Sequence, residues 1–236
     1  MIGNFVFICC SPHKRTGTST SARLLSDYFL ATGRGFRGFD ADPHEPDYAP
    51  RFEGRVETVD LSAVKGQAAL IDGLLSLDGA PKIVDLWSRC FDRFFSLIKD
   101  IGFIEEARKR GIEPVFLYHA DAMAASPDIA ARLAHGFADV EWLLAHNEGA
   151  APLGDAAVSM LDLYPPHRRL RIRALDPWLG KALEPLDLSL AALPIEAPPE
   201  MSIVVRAGLC AWLSPVFSQW RTFEMRHALE GASFLA

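Results

Sequence analysis

Short, almost unbroken apolar runs alternate along the chain with longer stretches whose apolar residues recur every three to four positions. That alternation is the signature of βα units wound around a mainly parallel sheet. The first run, Phe5-Val6-Phe7-Ile8-Cys9-Cys10, is apolar at odd and even positions alike, as a strand covered on both faces requires. A polar loop follows, then a helix to about Ala31 with Ala22, Leu24, Leu25, Tyr28 and Phe29 as its stripe. Gly33 and Gly35 stop it. Arg37-Gly38-Phe39-Asp40 reads as a short second strand, residues 44–66 as loop with room for one short strand, and Gly66 to Leu77 as helix. Lys82-Ile83-Val84-Asp85-Leu86, Glu113 to Tyr118, Val140 to Ala145 and Arg169 to Ala174 supply further strands. Between them, Cys90 to Arg110 is apolar at helical spacing with Gly102 as a break. Ser126 to about Phe137 is a helix with Asp128 at its positive end.

Beyond residue 183 the pattern changes. Pro185, Pro194, Pro198 and Pro199 make residues 184–200 a linker or an arm over the surface. From Met201 to Leu229 helix formers dominate, and Pro215 is expected to kink or divide the segment. Ile203, Val204, Leu209, Trp212, Leu213, Val216, Phe217 and Trp220 form a stripe that reads as a core-packing helix pair, with a dimer or partner surface as the rival. The expected organisation is one α/β domain over residues 1–183, the Pro-rich arm over 184–200, and a helical extension over 201–236 packed on the same domain.

Composition narrows the class. Hydrophobic residues make up 50% and charged residues 23%, values of a globular chain. A formal charge of -6 disfavours a broadly basic nucleic-acid face. No signal peptide or run long enough to span a membrane is apparent. The four cysteines, Cys9, Cys10, Cys90 and Cys210, form no CxxC pair, and neighbours such as Cys9 and Cys10 point to opposite faces of a strand. Reduced thiols and a cytoplasmic location are expected.

Candidate chemistry concentrates in Ser11-Pro12-His13-Lys14-Arg15-Thr16-Gly17-Thr18-Ser19-Thr20-Ser21, between the first strand and the first helix. Strand, loop and helix N-terminus present backbone N–H groups to an anion together. Against the pattern G-x-x-x-x-G-K-[ST], Gly17 fits the second glycine and Ser19 a metal-side hydroxyl, whereas Pro12 and Thr18 stand at the first glycine and the lysine.

The order Ser11-Pro12-x-x-x-x-Gly17-x-Ser19-Thr20-Ser21-Ala22-Arg23-Leu24-Leu25 resembles the ParA/MinD family, whose loop runs roughly K-G-G-x-G-K-[ST]-[ST] before a helix reading T-A-x-x-L-A. Asp40-Ala41-Asp42-Pro43 looks like the family's first switch, Ile83-Val84-Asp85 like its acid-ending strand, and Ala145-His146-Asn147 like the strand whose Asn reads the base. The resemblance covers roughly residues 5–150. It implies a three-layer P-loop NTPase-like fold and work in partitioning, division-site placement or cellular positioning. It implies that His13, Lys14, Arg15, Thr16, Gly17, Thr18, Ser19, Thr20 and Asn147 surround a nucleotide. Asp42 and Asp85 would serve catalysis, and Ser19 and Asp85 would hold Mg²⁺.

The departures are specific. The family's signature lysine falls at His13, its two glycines at Lys14 and Arg15, and its main phosphate lysine at Thr18. Phosphoryl transfer rests on positioning and fixed charge, and losing one such group costs on the order of 10²–10³ in rate. A degenerate Walker A loop is therefore expected, in a protein that works through protein–protein contact with weak or lost nucleotide binding. Either ATP or ADP with Mg²⁺ binds, or no cofactor does. The alternative is an active ATPase using Lys14 and Arg15 in place of the lost lysine. A protein partner is expected and a homodimer is an option; nucleic acid is not favoured. Trp87, after Asp85, is expected to fill part of the vacated pocket.

Overall fold

The computed structural model describes residues 4–150, 153–183, 189, 190, 199 and 201–233. Seven parallel strands form one sheet in the order β3-β2-β4-β1-β5-β6-β7. They are β1 (Asn4–Cys10), β2 (Arg37–Asp40), β3 (Val56–Thr58), β4 (Lys82–Asp85), β5 (Ile112–His119), β6 (Glu141–Asn147) and β7 (Arg169–Ile172). The helices are α1 (Thr18–Ala31), α2 (Val64–Leu74), α3 (Phe91–Asp100), α4 (Phe103–Lys109), α5 (Ser126–Gly136), α6 (Asp155–Leu163), α7 (Pro177–Leu183) and α8 (Ile203–Ser233).

The three layers follow from the period of two along each strand. Phe5, Phe7 and Cys9 face one side, where Leu25 and Phe29 of α1 and Leu213, Trp220 and Phe223 of α8 cover them. Val6, Ile8 and Cys10 face the other, against Leu70 of α2, Phe94 and Phe95 of α3, and Ala130 of α5. Cys9 and Cys10 are thus buried free thiols on opposite faces, as expected. The expected fold class, with its parallel sheet and helical C-terminal extension, is the fold observed. Gly102 also does what was expected of it: with φ 64 it separates α3 from α4.

Two expectations about the C-terminal segment need correction. Pro215 neither ends nor divides the helix, since α8 runs through it for 31 residues. A proline removes one N–H and crowds the preceding turn, at about 3 kcal/mol. The burial of Leu213, Val216 and Trp220 on both sides of it offsets that cost. The buried stripe is also displaced. It comprises Val205, Leu209, Leu213, Val216, Trp220 and Phe223, while Ile203 and Val204 are 71% and 64% exposed. The segment is one packed helix rather than a pair. A polar clamp fastens it to α1: Tyr28 donates to Glu224 at 2.6 Å, and Arg34 binds the same carboxylate through two nitrogens at 2.6 and 3.0 Å. Most of the Pro-rich arm at 184–200 lies outside the described residues. Among the described residues no helix is long and apolar enough to cross a membrane.

Candidate functional site

Parallel pairing brings the carboxyl ends of the central strands to one edge, where α/β sheets bind ligands. Cys9 is in register with Asp85, Asp85 with Asp40, and Cys10 with Tyr118. The β1–α1 loop rises from this edge and meets the turns after β2, β4, β5 and β6.

The loop takes positive φ at two positions, one a glycine and one not. Gly17, just before α1, takes φ 95, and a Cβ there would lie 2.1 Å from the Asn147 side-chain nitrogen. Only glycine fits. Arg15 takes φ 59 and is the one non-glycine residue with positive φ among the described residues. A side chain in this left-handed conformation costs roughly 1–2 kcal/mol.

Beneath the loop are polar groups that sequence reasoning missed. His13 Nδ1 lies 2.7 Å from Asp121 Oδ2, and the Ser11 hydroxyl donates to the same oxygen at 3.5 Å. The other Asp121 oxygen accepts the Met123 N–H at 2.8 Å, so this acid is held from two sides. His119 is fully buried with Nδ1 3.3 Å from the Thr16 carbonyl, and Nε2 has no partner among the described residues. Burial pushes its imidazole down to about 4, so near neutrality the ring is uncharged and donates from Nδ1. The Thr16 hydroxyl is also buried without a partner. The only sequence signal was His119-Ala120-Asp121 at the end of β5, a polar group at a strand's carboxyl end.

Two cavities flank the start of α1. The first, the loop cavity, has a volume of about 660 Å³ and is bordered by His13, Lys14, Arg15, Thr18 and Ser19 on one side. Asp40, Asp42, Glu45, Asp47 and Asp85 face them, with Trp87 and Arg89 closing the far wall. The second, the flank cavity, of about 550 Å³, lies against Thr20, Arg23, Asn147, Arg173, Lys181 and Trp212. Ser19 and Asp47 border both. The predicted residues therefore divide: His13 to Arg15, Thr18, Asp42 and Asp85 go to the loop cavity, Thr20 and Asn147 to the flank cavity, Ser19 to both, and Thr16 and Gly17 to neither.

The acids of the loop cavity are largely committed to the protein itself. Asp40 accepts backbone N–H bonds from Asp42, Tyr48 and Ala49 and pins the turn between them. Asp42 accepts from the His44 and Glu45 N–H groups, the pattern of a turn-forming aspartate. Burial raises Asp85 to about 7; its hydrogen bonds to Ser19 and Thr18 oppose that shift, and the nearby Asp40 carboxylate adds to it. Ser19 and Asp85 are thus adjacent, the pair that would share a Mg²⁺ ion. No group of three or more His, Cys, Asp or Glu residues poised for a metal occurs among the described residues. Trp87 is half-buried against the core, with its ring 5.6 Å from that of His44 and the Arg89 guanidinium 5.2 Å over its face. It joins the turns after β2 and β4. Asn147 accepts the Gly149 N–H at 3.0 Å, closing the turn after β6 while its side chain lies over Gly17.

No protein-family model matches the chain, and no curated protein matches it. Among solved structures, a nucleotide-binding protein from Archaeoglobus fulgidus in complex with ADP, with Co found in it, is similar in fold. The match has a TM-score of 0.50 and covers 75% of this chain and 84% of that one, at 14% identity. The likeness is one of fold, a parallel α/β sheet covered by helices.

Proposed function

We propose that this chain is a degenerate ParA/MinD-like module that acts by binding a protein partner, holds nucleotide weakly or not at all, and does not hydrolyse it. The observation that carries this reading is the start of α1. Thr18 stands where a phosphate lysine would, and with Ser19 it hydrogen-bonds Asp85. A threonine hydroxyl supplies no fixed charge to a developing phosphoryl anion. The surrounding acids add to the difficulty, because a polyphosphate in the loop cavity would face five carboxyl side chains against Lys14, Arg15 and Arg89. Trp87, braced by His44 and Arg89, leaves little scope for a switch that senses a terminal phosphate. The Archaeoglobus fulgidus protein of similar fold is in complex with ADP, which supports nucleotide as the ligand class to test.

Were Mg²⁺–nucleotide to bind, Ser19 and Asp85 would hold the metal, the loop amides the phosphates, and Asn147 the base side. Calorimetry with ATP and ADP, with and without Mg²⁺, tests the reading. Absent or millimolar binding, worth about 4 kcal/mol or less, agrees with it. Micromolar binding followed by Mg²⁺-dependent turnover overturns it. One observation favours the second reading, an unorthodox ATPase: Lys14 and Arg15 both border the loop cavity beside Asp85. That reading requires turnover to fall when either is replaced by alanine.

A further inference from the structure

Of the histidines among the described residues, His13 alone is hydrogen-bonded to a carboxylate, with Nδ1 2.7 Å from Asp121 Oδ2. The next such pair, His227 with Glu230, stands at 3.9 Å. Asp121 is itself fixed. Its side chain is 7% exposed, the Ser11 hydroxyl donates to the same oxygen, and the Met123 N–H holds the other. A carboxylate only accepts, so Nδ1 of the neutral ring carries the proton and Nε2 the lone pair. Nε2 has no hydrogen-bond partner among the described residues, and the side chain is 33% exposed at the loop cavity. An imidazole held by an acid at one nitrogen and open at the other is an oriented nucleophile, and the acid stabilises the cation that attack creates. Lys14 and Arg15 border the same cavity, both are exposed, and neither forms an ion pair among the described residues.

We infer that His13 Nε2 accepts a phosphoryl group from a small acyl phosphate, with Asp121 as its positioning residue and Lys14 and Arg15 against the phosphoryl oxygens. The Nε2 lone pair forms the N–P bond while the P–O bond to the acyl group breaks. The electron pair of that bond leaves on the carboxylate released. The product is a phosphoimidazolium whose Nδ1 proton stays in the hydrogen bond to Asp121, so no further reactant is required. A polyphosphate spanning the cavity meets the acids opposite, whereas one phosphoryl group on His13 stays on the wall that carries Lys14 and Arg15. The inference goes beyond the proposed function, because it requires no nucleotide and gives the module a covalent mark on its loop.

The test incubates the full chain with acetyl phosphate and follows phosphohistidine at each position by mass spectrometry in alkali, where the N–P bond survives. His135 and His167 are the internal references, since both are more exposed than His13 and neither is hydrogen-bonded to an acid among the described residues. His13 is expected to react at least about tenfold faster than either, against the order of exposure. K14Q/R15Q should slow His13 by about tenfold to a hundredfold and leave the references unchanged. In D121A the ring is released, and phosphorus NMR should show adducts on both nitrogens where wild type shows Nε2 alone. A purely structural role for Asp121 would not move that ratio. Circular dichroism confirms the fold of each variant, and the comparison within wild type depends on none of them. Reaction at His13 no faster than at His135 or His167, an unchanged rate in K14Q/R15Q, or Nε2 adducts alone in D121A overturns the inference. Those outcomes leave the nucleotide calorimetry untouched, so the two readings fail separately.

Discussion

The loop cavity and the flank cavity share Ser19 and Asp47, yet they were built by different means. The loop cavity is assembled from contiguous motifs, and its three central acids and His13 already have protein partners. Asp40 and Asp42 hold backbone amides, His13 is held by Asp121, and Asp85 takes the hydroxyls of Thr18 and Ser19. The flank cavity is assembled from residues far apart in sequence, and Arg173 and Lys181 at its mouth have no such commitments among the described residues. A loop at a ligand-binding edge can thus turn its side chains inward to hold the fold. The groups left facing solvent next to it then set what binds.

The boundary between the cavities is the place to break this contrast. Gly17→Ala places a methyl on the Asn147 side chain at a φ that disfavours any Cβ. It should cost about 2–4 kcal/mol, read as a lowered unfolding midpoint. Adding Asn147→Gly should recover the steric part but not the backbone part. No loss in Gly17→Ala would mean that Asn147 does not wall off the loop.

Asp85, the most deeply desolvated acid of the loop cavity, gives the next largest expected effect. Asp85 has its folded value near 7, above the usual carboxylate range, so folding favours its protonated form. Its contribution to stability is therefore complete below about pH 4, declines as pH rises, and is gone above about pH 7. Asp85→Asn should flatten that decline, gaining on wild type by on the order of 1–3 kcal/mol between pH 5 and pH 8. Asp40, which burial also raises, keeps a residual slope. Denaturant titrations across pH check this, and an unchanged slope in Asp85→Asn would remove the assignment.

The smallest effect is expected at Arg15. Arg15→Gly relieves the left-handed backbone but frees the unfolded chain, for a net gain of about 0.5–1 kcal/mol. A loss instead would show that the guanidinium holds the loop through its charge.

The layers of this fold were legible because burial on both faces leaves an unmistakable continuous apolar run, as in Phe5 to Cys10, and because helical stripes were sharp in α1 and α3. Within the site, the loop's backbone was legible from Gly17 and the hydroxyl run after it. Asp121 was not, since its partner His13 is 108 residues away and nothing local marks the pair. Arg173, Lys181 and Trp212 were missed for the same reason: each looks like an ordinary surface or core residue until β7, α7 and α8 close around one space. Pro215 misled because a local rule was read without the packing that overrides it.

The clamp between Glu224 and α1 has a consequence for the order in which this protein is made. The helix that carries the loop residues Thr18 to Ser21 rests on a carboxylate some two hundred positions downstream. During synthesis, Phe5 and Phe7 leave the ribosome long before Trp220 and Phe223 arrive to complete their cover. The nascent chain is therefore expected to carry one bare aromatic sheet face for most of its translation. Chains stalled before residue 203 should be the ones that chaperones retain.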